Sequence, residues 1–141
     1  MSDLTTLIDR VRGLEGPDRE VDVAVLLALG IMTLERRQRD RKEWLYVVGS
    51  SYERHDPRML PARFKLTASL DAVVSLIERE LPGKHWSISK SYGPHSPMRS
   101  FGDGDFAAKC GSWGAQKRAE HDAPTLALLL AFLTVMKERV Q

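Results

Sequence analysis

The chain has 141 residues, of which 43% are hydrophobic and 28% charged, a balance typical of a globular domain and not of a disordered or collagen-like chain. A lone cysteine, Cys110, excludes an intramolecular disulfide and favours a reducing cytoplasm. Asp3 and Asp9 stand where a signal peptide would be basic, and the longest apolar run, Leu126–Leu133, is too short to span a bilayer. We therefore expect one cytoplasmic domain, residues 1–141, without a membrane partner.

The spacing of apolar residues predicts two helices at the start of the chain. The first is expected at Met1–Leu14, with Ser2 as its N-cap. The second is expected to begin at Pro17, to bury the run Val21–Leu29 and to end at Gly30.

The middle of the chain changes from a charged stretch to a β pattern. Aromatic and β-branched residues predict a strand at Trp44–Val48. Ser50–Ala62 is rich in polar residues and proline and is expected to be a loop, and Arg63–Leu66 to be a short extended segment.

A third helix gives the clearest periodic signal, at Leu70–Leu81, with Thr67 or Ser69 as its N-cap. Alternation then predicts a strand at His85–Tyr92, with one face partly buried.

Further strands and a last helix are expected towards the end of the chain. Arg99–Ser112 is predicted to be extended around a tight turn at residues 102–105, with Phe106, Ala108 and Cys110 on one strand face. Gly111–His121 is expected to be a polar loop. Asp122 and Pro124 open the last helix, whose apolar surface at Leu126–Val135 predicts a core position.

These elements predict an α+β fold, an α-β-α sandwich with a mainly antiparallel sheet covered by helices. The formal net charge is only +2, but it is unevenly distributed: the helical segments are net negative and the strand and loop segments net positive. Residues 84–118 alone carry six basic and two acidic side chains. We expect positive charge to collect at the edge of the sheet and in its loops.

Four short motifs resemble the phage ABA-sandwich domain family of small phage and prophage proteins. They are residues 16–22 (GPDREVD), residues 64–72 (FKLTASLDA), Pro82-Gly83 followed by Trp86, and residues 123–128 (APTLAL). The resemblance implies an α-β-α sandwich in the cytoplasm of an infected or lysogenic bacterium, and it transfers no activity to particular residues. The run at residues 36–42 and the strand after it are longer and more charged than we expect of the family.

The leading hypothesis is a non-enzymatic protein that captures a small anionic ligand, such as a nucleotide-type signal of host defence. Interleaved basic and aromatic residues could hold phosphates and stack on a base, and a helix N-terminus near Thr67 could bind phosphate, although capping is the commoner use of threonine there. The candidate ligand-binding residues are Arg63, Lys65, Thr67, Trp86, Lys90, Tyr92, Arg99 and Lys109. Aromatic residues in strands are also commonly core residues.

The alternative hypothesis is a module that binds a host or phage protein, or nucleic acid, through residues 36–42. Five of these seven residues are basic and could neutralise phosphates. Glu35, Glu43 and Asp40 argue instead for a solvated hairpin or surface helix held by local ion pairs. The apolar helices also leave room for a homodimer.

Enzymatic activity is the least supported class, and we expect no cofactor. The four histidines lack metal-ligand spacing and are expected on the surface or in loops, and Cys110 is expected to be a structural thiol. The Asp-Gly repeat at residues 102–105 lacks the further ligands of a calcium loop. No phosphate-binding loop, dinucleotide glycine fingerprint or nucleophile elbow occurs.

Overall fold

The computed structural model describes residues 4–39, 42–49, 54–57, 59–90, 106–112 and 114–140. The helices are α1 Leu4–Arg12, α2 Arg19–Ala28, α3 Leu70–Glu80 and α4 Pro124–Val140, with a short 3₁₀ helix at Ala62–Phe64. The strands are β1 Thr33–Arg39, β2 Lys42–Val48, β3 Arg54–His55, β4 His85–Lys90, β5 Phe106–Gly111 and β6 Lys117–His121.

The strands form two antiparallel three-stranded sheets, in the orders β1-β2-β3 and β4-β5-β6. Helices pack against the second sheet, mainly α4 against β5 and β6. The predicted α+β fold with antiparallel strands covered by helices is therefore confirmed.

Helix α4 lies at the centre of the core. It contacts the second sheet on one side and helices α1 and α3 on others, so the eight residues Leu126–Leu133 are almost completely buried. The expectation of a buried helix is confirmed. Phe106, Ala108 and Cys110 pack in the same core, as expected of a shared strand face. Within the described ranges, no helix is long and apolar enough to cross a membrane.

Helices α2 and α3 begin at side-chain caps. The Asp18 carboxylate accepts hydrogen bonds from the backbone N–H groups of Glu20 (2.9 Å) and Val21 (3.2 Å), so α2 begins after Asp18 and not at Pro17 as predicted. The Ser69 hydroxyl accepts from the N–H of Ala72 at 3.2 Å, which confirms one of the two predicted caps of α3. The predicted N-cap Ser2 and the predicted turn at residues 102–105 lie outside the described residues.

Three further expectations are wrong. Residues 117–121 form strand β6 and not part of a polar loop, because pairing with β5 outweighs the low β propensity of their sequence, KRAEH. Arg63–Leu66 is not extended at its start, since residues 62–64 form the 3₁₀ helix, and the loop Ser50–Ala62 includes the two-residue strand β3. By contrast, the antiparallel pairing of β1 with β2 agrees with the hairpin alternative for the charged segment.

Candidate ligand-binding cleft

An open cleft of about 550 Å³ lies at the end of the second sheet where β5 ends and β6 begins. The C-terminal ends of α3 and α4 form its other walls. Its lining residues are Glu80, Leu81, Pro82, Lys84, Gly111, Ser112, Ala115, Lys117, Val135, Glu138 and Arg139. The volume lies within the range of small-molecule sites.

The turn between β5 and β6 shapes the cleft through Gly111. This residue has φ +135°, a backbone conformation that residues other than glycine rarely adopt. A Cβ atom there would lie 3.3 Å from both the Ala115 carbonyl oxygen and the Gln116 Cα. Glycine therefore allows the turn to fold closely, with Ser112 and Lys117 on the lining of one cleft.

Two lysines enter the cleft from neighbouring strand ends. The Lys84 ammonium, just before β4, donates a 2.7 Å hydrogen bond to the Ser112 hydroxyl. The Lys117 ammonium, at the start of β6, forms a 2.9 Å ion pair with Glu138 of α4. Lys117 is thus neutralised by a carboxylate, whereas Lys84 has only a neutral partner among the described residues.

The guanidinium of Arg139 joins the two helix ends. It donates to the backbone oxygen of Glu80 at 3.3 Å, and this carbonyl belongs to the last turn of α3, where helix carbonyls have no partner within the helix. A cation there also interacts favourably with the helix dipole. The Glu80 carboxylate itself pairs with Arg79 at 3.9 Å. Within the part of the chain that the structure describes, Arg139 therefore has no carboxylate partner.

The cleft thus combines surplus positive charge with hydrogen-bonding groups. Lys84 and Arg139 can each donate to an anionic group, and the Ser112 hydroxyl can reorient towards it. The carboxylates of Glu80 and Glu138 can accept from donor groups elsewhere on the same ligand. The arrangement has the chemistry to hold a polar, negatively charged small molecule.

The predicted site residues around α3 serve a different purpose. Thr67, only 3% exposed, donates its backbone N–H to the Asp22 carboxylate at 2.7 Å. Its hydroxyl accepts from the Asp18 N–H at 2.8 Å and lies 3.2 Å from the Asp18 carbonyl oxygen. We call these three residues the Asp-Thr clamp. Because the clamp engages both polar groups of Thr67, it leaves neither of them to a phosphate.

The clamp holds a buried carboxyl group. Burial raises the pKa of Asp22 above its ordinary value, and the hydrogen bonds from Thr67 oppose that rise. A carboxylate already at this position also repels further anions.

Arg63 and Lys65 are both exposed nearby, and the Arg63 guanidinium lies 4.7 Å from the centre of the Phe64 ring.

The remaining candidates do not converge on one pocket. Trp86 and Lys90 lie on the face of the second sheet that packs on α4, whereas Lys109, opposite Ser87 in the register, lies on the other face. Trp86 is 37% exposed and does not line the cleft. Tyr92 and Arg99 lie outside the described residues.

Two expectations about titratable side chains differ in outcome. Cys110 is fully buried, and burial raises the pKa of its thiol to about 11, as expected of a structural thiol. His121 was expected on the surface or in a loop, but it is buried at the end of β6 and accepts from the Ala123 N–H at 3.1 Å. His121 therefore binds the backbone just before α4 and does not lie on the surface.

The sequence held a partial signal for the cleft. Lys84 and Lys117 belong to the most basic segment, residues 84–118, and Gly111 and Gly114 are residues that permit the turn before Lys117. Arg139 and Glu80 could not be found this way, because only the packing of α3 against α4 brings the ends of these helices together.

Comparisons of the chain with protein-family models, with curated proteins and with solved structures found no match. The resemblance to the phage ABA-sandwich domain family therefore stays a prediction.

Proposed function

We propose that this protein is a non-enzymatic binding protein that captures a small anionic, nucleotide-like ligand in the cleft between the second sheet and the ends of α3 and α4. The observation that carries the proposal is the presence of Lys84 and Arg139 on one cleft, neither with a carboxylate partner among the described residues. The class of ligand is the one expected from the sequence. The proposed binding residues differ, because none of the candidates named from the sequence that the structure describes lines the cleft.

The size and chemistry of the cleft support a nucleotide-like ligand. A volume of about 550 Å³ suits a nucleoside phosphate better than a free inorganic ion. Lys84, Ser112 and Arg139 would hold the anionic group, and Glu138 would accept from a hydroxyl or amino group of the remaining part.

The setting that we propose is the cytoplasm of a bacterium in which a phage or prophage is active, where the protein sequesters a nucleotide-type signal of host defence. The resemblance at residues 16–22, 64–72 and 123–128 supports this setting. The buried thiol of Cys110 is compatible with a reducing compartment. A homodimer stays a prediction, which analytical ultracentrifugation of the purified protein would measure.

The first experiment is thermal unfolding against a panel of linear, cyclic and ADP-ribose-type nucleotides. A ligand at 100 times its dissociation constant adds about 2.7 kcal/mol to the free energy of unfolding, which raises the midpoint by several degrees. The ligand is then recovered and tested for integrity by mass spectrometry. Recovery of the intact ligand supports capture, whereas a cleaved product overturns the non-enzymatic part of the proposal.

Matched variants then locate the site. Lys84→Ala and Arg139→Ala should each weaken binding at least tenfold, because each removes a charge-assisted hydrogen bond. Lys90→Ala and Lys109→Ala remove the same charge from the second sheet outside the cleft and should bind as the wild type does. Equal losses in all four variants, or loss only in the last two, would refute the cleft.

A further inference from the structure

Strands β1 and β2 form a long ribbon, which we define as residues 33–39 and 42–48. The two strands pair along their whole length, and among the described residues the ribbon joins the rest of its sheet through the short pairing of β2 with β3. Among the residues that the structure describes, its extensive contacts are within this sheet. The ribbon is therefore a separate surface from the cleft and the core.

The charges of the ribbon favour an anionic partner. The ribbon contains four basic residues, Arg36, Arg37, Arg39 and Lys42, and two acidic residues, Glu35 and Glu43. Glu35 is bound by the Arg54 guanidinium at 3.1 Å, so β3 contributes another positive charge that offsets it. The described side chains of β1 are exposed on one face, where Leu34 is 55% exposed and Arg36 and Gln38 are exposed as well; on the opposite face Glu35 is partly buried.

The register adds aromatic positions to this charge. Consecutive positions of a strand alternate between its two faces, so cross-strand partners share a face. One face of the ribbon contains the paired positions Glu35 with Tyr46, Arg37 with Trp44 and Arg39 with Lys42. Basic and aromatic positions that alternate along an extended surface are typical of sites for single-stranded nucleic acid, in which cations contact phosphates and rings stack on bases.

From this juxtaposition we infer that the ribbon binds single-stranded nucleic acid. The aromatic positions favour this partner over an acidic protein, because charge complementarity alone would not require them. The site is independent of the cleft, so nucleotide capture and nucleic-acid binding can fail separately.

The test is fluorescence anisotropy of the full chain with a fluorescein-labelled 12-nucleotide oligothymidylate at 50 and 200 mM NaCl. Contacts with about three phosphates predict a loss of affinity of about 20-fold between these salt concentrations. The double variant Arg37→Ala/Arg39→Ala should bind more weakly and lose only about threefold, since one contact remains. Arg10→Ala/Arg12→Ala removes the same charge from α1 and should keep the wild-type salt dependence.

The aromatic contribution is tested separately. Trp44→Leu should weaken binding about tenfold without changing the salt dependence, because stacking releases no counterions, and Trp86→Leu should have no effect. Circular dichroism and urea unfolding show whether each variant is folded. If Trp44→Leu does not fold, the salt dependence of Arg37→Ala/Arg39→Ala decides whether the ribbon binds the oligonucleotide. The inference would be overturned by no binding at 50 mM NaCl or by equal effects of the two arginine double variants. It would also be overturned, in favour of an acidic protein partner, if a polyglutamate peptide of the same charge displaced the oligonucleotide equally well.

Discussion

Replacing Asp22 should show how much stability depends on the Asp-Thr clamp. In Asp22→Ala the buried N–H of Thr67 loses its acceptor at 2.7 Å, which costs about 1–3 kcal/mol of the free energy of unfolding. Asp22→Asn keeps an acceptor oxygen and removes the charge that burial disfavours, so it should remain within about 1 kcal/mol of the wild type at pH 7. Since domains of this size are stable by about 5–15 kcal/mol, urea unfolding resolves both effects.

The same carboxyl group predicts a pH dependence. Burial raises the pKa of Asp22 in the folded protein, and unfolding restores an ordinary value near 4. Between these two values the folded state binds more protons than the unfolded state. The contribution of Asp22 to stability is therefore fully present below about pH 4 and is lost as pH rises through the raised pKa.

Comparison of urea unfolding at pH 4 to 8 isolates this effect. The free energy of unfolding of Asp22→Asn minus that of the wild type should increase with pH across the window and then level off. Glu78→Gln removes one carboxyl group from an exposed position on α3 and serves as the matched control. A flat difference for Asp22→Asn, or a loss as large as that of Asp22→Ala, would refute the reasoning.

Three further predictions concern the core, the cap of α3 and the turn of the cleft. Cys110 should react with a thiol reagent at pH 8 only on unfolding, because it is buried and its pKa is raised to about 11; rapid labelling of the native protein would contradict this. Ser69→Ala should lower the free energy of urea unfolding by about 1 kcal/mol, and Ser75→Ala, at an exposed position of the same helix, should change it much less. Gly111→Ala should cost at least about 1 kcal/mol, since alanine is strained at φ +135° and its Cβ would press on the Ala115 carbonyl; an unchanged urea midpoint would show that the turn adapts.

Local patterns predicted the elements whose sequence and environment agree. The periodicity of α3 and the continuous apolar run of α4 both agree with the burial of these helices, because the spacing of apolar residues along a helix indicates which of its faces is buried. Strand β6 was missed because its residues are charged or small and acquire β structure only by pairing with β5. The cleft could not be predicted for the same reason, since it needs the ends of α3 and α4 to meet beside the sheet.

The motifs that carry the family resemblance mainly build the fold. Residues 16–22 and 64–72 meet in the Asp-Thr clamp, which joins the start of α2 to the segment before α3, and residues 123–128 lead into the buried part of α4. By contrast, Ser112 and Arg139 lie outside all four motifs, and Lys84 lies between Gly83 and Trp86 without being one of the residues that carry the resemblance. Proteins that share the motifs can therefore share this architecture and differ in ligand, because replacing the groups proposed to bind the ligand leaves the clamp and the core intact. A chain in which Lys84, Ser112 and Arg139 are replaced should keep the stability of the fold and lose the capture of nucleotides.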